Sequence, residues 1–149
     1  MTQFTARVVD SLYTEAMLLA DEARGYFECW GREERDGLDP ETRVLFSCEA
    51  LRVTTRLMHV IAWLLTRRAV AAGEIGEAQA AAPERRLGEE PPSDPQVVAA
   101  LPATARQLVA ATRDLHARVR RLDATLDDVA APADAGPARD LLARLERAF

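Results

Sequence analysis

Apolar residues recur at spacings of three and four from Val8/Val9 through Leu12, Ala16, Leu19, Ala23 and Tyr26/Phe27 to Trp30. That is the period of a helix that buries one stripe. The spacing predicts a first helix over about Val8 to Trp30, weakened at Gly25 and stopped at Gly31, with the charged run GREERDG behind it as a loop.

The second helix has the clearest start. In Asp39-Pro40-Glu41 the aspartate can cap free backbone N–H groups, the proline brings its φ already set to the first helical position, and the glutamate meets the positive end of the helix. No glycine or proline follows until Gly73, so the helix should run for about 33 residues, roughly 50 Å at 1.5 Å per residue. Its expected inner face is Val44, Cys48, Leu51, Thr55, Met58, Ala62, Leu65 and Ala69, alternating four and three as in a coiled coil. Leu57, Ile61 and Leu64 widen the apolar surface on an adjacent side.

After Gly73 the pattern changes. Ile75 to Ala82 can form a short helix, but ERRLGEEPPSDP is charged, proline-rich and almost without large apolar groups, so a flexible arm is expected over about residues 73–101. A third long helix enters through Leu101-Pro102 and keeps one heptad face: Ala105, Leu108, Thr112, Leu115, Val119, Leu122, Leu126 and Val129. APADAGP breaks it, and PARDLLARLERAF then places Leu141, Leu145 and Phe149 on one side of a last short helix. Nowhere do β-branched residues alternate with polar ones for long enough to make a strand. The expected fold is all-α: an up-down-up three-helix bundle over residues 1–131, with a flexible arm before the third helix and a short C-terminal helical tail, residues 132–149. A dimer that completes its core from two chains belongs to the same class.

The stretch LRVTTRLMHVIAWLLTRRAV, Leu51 to Val70, bears on cellular setting. A membrane span needs roughly 20 nearly uncharged residues, whereas this stretch carries Arg52, Arg56, His59, Arg67 and Arg68. The N-terminal MTQFTARVVD lacks the features of a secretory signal. A soluble, cytoplasmic protein is expected. Composition agrees, since 48% hydrophobic against 29% charged residues suits a packed core rather than a disordered chain. The net charge of −5 supplies no electrostatic reason to bind nucleic acid or an anionic membrane. All 19 basic residues are arginine, which suits planar contacts with carboxylates. Cys29 and Cys48 are too few for a disulfide scaffold.

Candidate chemistry is sparse. Neither His59 nor His116 has a glutamate three residues before it, as a di-iron bundle requires. Cys29, Cys48, His59 and His116 are scattered over three helices instead of clustered like zinc ligands, and the simpler reading is two buried thiols and two partly exposed imidazoles. There is no glycine-rich phosphate loop, no Gly-x-Ser-x-Gly elbow and no acidic cluster with metal-site spacing. The chain is expected to be no enzyme, with no catalytic residue, cofactor or metal.

What remains is the stripe Arg52, Arg56, His59, Trp63 and Arg67, spaced four, three, four and four along one side of the second helix. One reading is a solvated rim whose Arg stems cover apolar surface, with Trp63 half buried between helices. The other is a partner or dimer face, because Arg and Trp are enriched at interface hot spots. These five residues, with Leu141, Leu145 and Phe149 of the tail, are the partner-binding candidates. An isolated helix as short as the tail is marginal in water, so it should dock either on its own bundle or on a partner.

The run from Leu51 to Val70, continuing into Ala71-Ala72-Gly73-Glu74-Ile75, resembles the central helix of the RcdA family, regulators of CtrA degradation in alphaproteobacteria. The likeness is most specific at Thr54-Thr55-Arg56-Leu57-Met58 and Trp63-Leu64-Leu65. The third helix, with Leu115-His116-Ala117-Arg118-Val119-Arg120-Arg121-Leu122-Asp123, is similar too, and the resemblance covers about residues 8–129. It implies a three-helix bundle, often a homodimer, that acts without catalysis as an adaptor. Such proteins link cargo, CtrA included, to the ClpXP protease through ClpX or a CpdR-like response regulator. A dimeric helical scaffold or regulatory interaction protein outside proteolysis is the alternative.

Overall fold

Helix α1, Gln3–Gly25, begins under a cap: the Thr2 hydroxyl accepts the Thr5 N–H at 3.1 Å. Its stripe Val9, Leu12, Ala16 and Ala23 is buried as the spacing requires. In this computed structural model, which describes residues 2–134 and 144–148, the helix then widens into a π-helical turn, Tyr26–Trp30. The turn brings the Tyr26 ring edge-on against Phe27, Trp30 and Phe46 and removes it from solvent. The Tyr26 hydroxyl donates to Glu34 at 2.5 Å, and burial first, then Glu34, pushes the phenol pKa well up. Gly31 closes the turn because a Cβ there would stand 2.6 Å from the Tyr26 ring. The short helix α2, Arg32–Asp36, occupies the expected loop.

The long α3, Pro40–Ala71, starts where the sequence indicates. Asp39 accepts the Thr42 N–H at 3.2 Å, and that bonding to Thr42 holds its carboxyl below the ordinary range. At the far end Gly73 takes φ 74°, and the N–H groups of Gly73 and Glu74 donate back to the carbonyls of Val70 and Ala69. Only glycine adopts that left-handed backbone without strain. The chain continues through α4, Glu77–Ala80, a 3-10 turn, Pro83–Arg85, and α5, Pro95–Ala99, into α6, Ala103–Asp134. α6 runs into APADAGP, through Pro132 as far as Asp134; a proline this near a helix end forfeits few further bonds.

Three long helices form the all-α bundle that the periodicity predicts, and cross-helix pairs set their directions. Arg68 meets Asp10 at 3.4 Å at one end of the α1/α3 pair and Phe46 meets Tyr26 at the other, so α1 runs antiparallel to α3, while Arg118 of α6 grips both carboxylate oxygens of Glu15. Trp63 pairs with Asp123 and Arg56 shares Glu90 with Arg113, so α3 and α6 run parallel. The order is therefore up, down, down and not the up-down-up expected, because the polar contacts of α3 pull the connection back along it before α6 begins. Parallel neighbours of this length need a connection that retraces about 48 Å. Residues 72–102 do so along the groove between α3 and α6, as a strap held by side chains rather than the flexible arm expected.

The inner face of α3 is the main correction. Val44, Leu51, Met58 and Leu65, expected in the core, are 63%, 69%, 64% and 46% exposed. The face that packs on α1 and α6 carries Phe46, Val53, Leu57, Val60 and Leu64, with Glu49, Arg56, Trp63 and Arg67 beside them. Both sides of α3 repeat at three and four, and two neighbouring helices cover only one. On α6 the expected face is buried at Ala105, Leu108, Thr112, Leu115 and Val119 and half-buried at Leu122 and Leu126. The Val129 side chain lies outside the described residues.

This assignment orders two substitutions. Leu64→Ala should cost about 2–5 kcal/mol in urea unfolding, and Met58→Ala no more than about 0.5 kcal/mol at concentrations where the chain is monomeric. The opposite order would return Met58 to the core.

Candidate functional site

The strap between α4 and α5 lies in a polar groove. Arg56, fully buried, donates from Nη2 to the Pro91 carbonyl at 2.9 Å and to the Ser93 hydroxyl at 2.5 Å, and its Nε lies 3.4 Å from the Glu90 carboxylate. Ser93 in turn donates to Glu49 at 2.7 Å, and Arg52 closes on the other Glu49 oxygen at 2.6 Å. Arg113 approaches Glu90 from α6 at 2.8 Å. Burial pulls the Arg56 pKa down while Glu90 and Glu49 oppose it, and a guanidinium keeps its charge through such a shift.

One turn further along, the strap passes between the two histidines of the chain. His116 Nε2 donates to the Gly88 carbonyl at 2.9 Å, and Gly88 lies on the His59 ring, where a Cβ would come 2.6 Å from Nδ1. Glycine is required here by close approach. Beyond it, Asp123 accepts the Trp63 indole N–H at 3.0 Å and the Arg86 guanidinium at 3.2 Å, and Arg86 also reaches Asp127. Bonding to Asp123 raises the Arg86 pKa. At the top, Arg67 donates to both oxygens of Glu77 at 3.0 and 3.1 Å and closes α4 against α3. Arg56 Nε and Nη1, His59 Nδ1 and His116 Nδ1 are buried without a hydrogen-bond partner.

The structure thus brings Arg52, Arg56, His59, Trp63 and Arg67 together under or beside the strap instead of along a free rim. Arg56, Trp63 and Arg67 are buried, and Arg52 and His59 half-buried. Leu145 lies in the helical turn 144–148 and is 48% exposed, while Leu141 and Phe149 lie outside the described residues. Glu49, Gly88, Ser93 and Asp123 were not singled out as site residues from sequence. The sequence signals were a carboxylate, Glu49, set in the apolar half of α3, and for Gly88 and Ser93 only a segment with no periodicity, while Asp123 read as a polar position of α6. The expected buried thiols and partly exposed imidazoles also change places in part: Cys29 is exposed, and His116 is fully buried.

Among the described residues no group of three or more His, Cys, Asp or Glu side chains could hold a metal ion, and no helix is long and apolar enough to cross a membrane. What the surface does offer is the outer side of α3. Val44, Leu51, Met58 and Leu65, spaced by seven, form an exposed apolar line flanked by Cys48, Thr55, Ala62 and Ala69, with no charge among these residues. An exposed contiguous apolar line is the informative kind of surface.

His116 makes the groove sensitive to pH. Burial first, with the like charges of Arg120 and His59, lowers its pKa below the ordinary 6.5, against the Gly88 carbonyl and Glu90. The unfolded chain takes up that proton more readily, so the stability due to neutral His116 is complete above about pH 6.5 and is lost as pH falls toward the folded value. His116→Gln keeps an N–H donor for Gly88 without titrating. Its melting temperature should fall less than that of the unsubstituted chain between about pH 7.5 and 5.5; parallel profiles would remove His116 from the titration.

The family described as "Protein of unknown function (DUF1465)" matches residues 1–149. No curated protein matches the chain. Among solved structures, the chain is similar to the crystal structure of RcdA from Caulobacter crescentus CB15, with 34% identity over 77% of this chain and 87% of that one and a TM-score of 0.63. That level of identity over most of both chains reaches beyond shared helical architecture. The chain belongs to the DUF1465 family and, with RcdA as its solved relative, to the RcdA family of helical bundles.

Proposed function

We propose that this protein is a cytoplasmic, non-catalytic adaptor of regulated proteolysis that works as a homodimer and links cargo such as CtrA to the ClpXP protease. ClpX or a CpdR-like response regulator is its partner on the protease side. The observation that carries the reading is the uncharged outer face of α3, joined to the likeness to RcdA. Residues spaced by seven on an exposed helix match the seam of a coiled coil, which is self-complementary about a two-fold axis. An interaction surface of this kind suits a protein whose work is to hold others. Adaptors act by raising the local concentration of cargo, an effect set by reach and valency rather than chemistry. The tail, residues 132–149, with Leu141, Leu145 and Phe149, is the candidate tethered element.

Two measurements test the proposal. The chain should sediment as a dimer at micromolar concentration, and Leu51→Arg with Met58→Arg should make it monomeric with its helical content kept; a monomer from the start, or a variant that still pairs, removes the α3 interface. In a reconstituted reaction with ClpXP, CtrA and the CpdR-like protein, the chain should speed CtrA loss by about tenfold or more. Truncation after Ala131 should abolish that gain and leave melting unchanged. No acceleration, together with no ClpX or CpdR-like protein retained on the immobilised chain, would leave a scaffold outside proteolysis.

A further inference from the structure

We propose that the groove between α3 and α6 is a peptide-binding site that the strap fills in cis, and that a partner segment of the same chemistry can occupy in trans. The occupant is an extended, acidic, glycine- and proline-containing segment of another protein. The inference goes beyond the adaptor reading and does not depend on which partners that reading names.

The contacts are those by which a groove reads a peptide. Two buried side chains from different helices take backbone carbonyls, Arg56 at Pro91 and His116 at Gly88. The position of Gly88 admits no side chain, since a Cβ would meet the His59 ring at 2.6 Å. Arg56 and Arg113 converge on one carboxylate, Glu90, while Asp123 receives a guanidinium, Arg86. Ser93 is 8% exposed and bridges Arg56 to Glu49, so that site takes a small hydroxyl side chain. The groove therefore selects a basic residue, then glycine, glutamate-proline and serine at the intervals of Arg86, Gly88, Glu90-Pro91 and Ser93. From Leu87 to Asp94 the backbone forms no helix or strand, so the side chains of the groove hold it.

Three observations make this occupant displaceable. The interface is polar at its centre, where the bundle core is apolar. Arg56 and His116 have no exposed surface, and the strap leaves Arg56 Nη1 without an acceptor and His116 Nδ1, the ring's acceptor, without a donor. Clefts of about 450 and 480 Å³ flank the strap, one beside Glu90 and Arg120 and the other beside His59 and Arg85. A tethered segment that fits imperfectly acts as a competitor, and its closed fraction lowers the apparent affinity for any partner in proportion.

The test uses the full chain and a fluorescent peptide copying residues 84–95. Glu90→Ala with Ser93→Ala loosens the strap without touching the groove walls, and should bind the peptide at least about tenfold tighter than the unsubstituted chain by fluorescence anisotropy. Adding Arg56→Met to the loosened variant should abolish binding, as should replacing the peptide's residue equivalent to Glu90 with lysine. A gain below tenfold, or binding indifferent to Arg56, overturns the proposal. Hydrogen exchange on the unsubstituted chain checks it independently of any variant: the amides of residues 86–90, 93 and 94 should exchange ahead of those in α3 and α6. Exchange of the strap only on global unfolding would mean that the groove never opens, and would overturn it as well.

Discussion

The buried guanidinium of Arg56 is the constraint on which the rest of the structure depends. Placing an ion out of water is costly unless opposite charge and hydrogen bonds replace the lost hydration. Here the replacement comes from Glu49 and Glu90, the Pro91 carbonyl and the Ser93 hydroxyl. Most of these lie far along the chain from α3. Satisfying Arg56 therefore requires the connection after α3 to fold back over the helix, and a connection that folds back delivers α6 parallel to α3. Removing Arg56 would leave Glu49 with Arg52 and Ser93 but take the buried donor from the Pro91 carbonyl, so the loss falls on the strap.

Turning Arg56 inward also decides what α3 shows to solvent. A helix whose two sides both repeat at three and four must expose one of them. Because the Glu49, Arg56, Trp63 and Arg67 side is claimed by the strap and by Asp123, the line Val44, Leu51, Met58 and Leu65 is left outside. The polar residues are structural and the apolar ones are available, the reverse of an ordinary surface helix. An interaction protein gains from such an inversion, since its exposed apolar surface can be matched by another copy or another chain.

The bundle then has two levels of order. Its α1, α3 and α6 contacts are dominated by fully buried aliphatic and aromatic side chains, which open only with the whole fold. The strap is held by charge-assisted bonds and by a neutral buried histidine, which respond to pH and to competing ligands. Local opening is drawn from the level with fewer apolar contacts. This places responsiveness in the groove and leaves the scaffold rigid.

The sequence by itself determined the helices and most of their ends. The Asp39-Pro40-Glu41 start, the Gly73 stop and the α6 face from Ala105 to Val119 follow from capping and periodicity, which are local properties of the chain. It also contained the family likeness, which spans most of the chain. Only the tertiary structure decided which face of α3 is inside, because two faces of equal period compete and the choice rests on remote polar partners: Ser93 and Pro91 in a segment with no periodic signal, and Asp123 on α6. For the same reason the strap read as a flexible arm: its anchors are single polar contacts to side chains on other elements, and composition alone reports only its lack of apolar groups. Local physics writes the helices, and long-range electrostatics in the interior chooses how they turn.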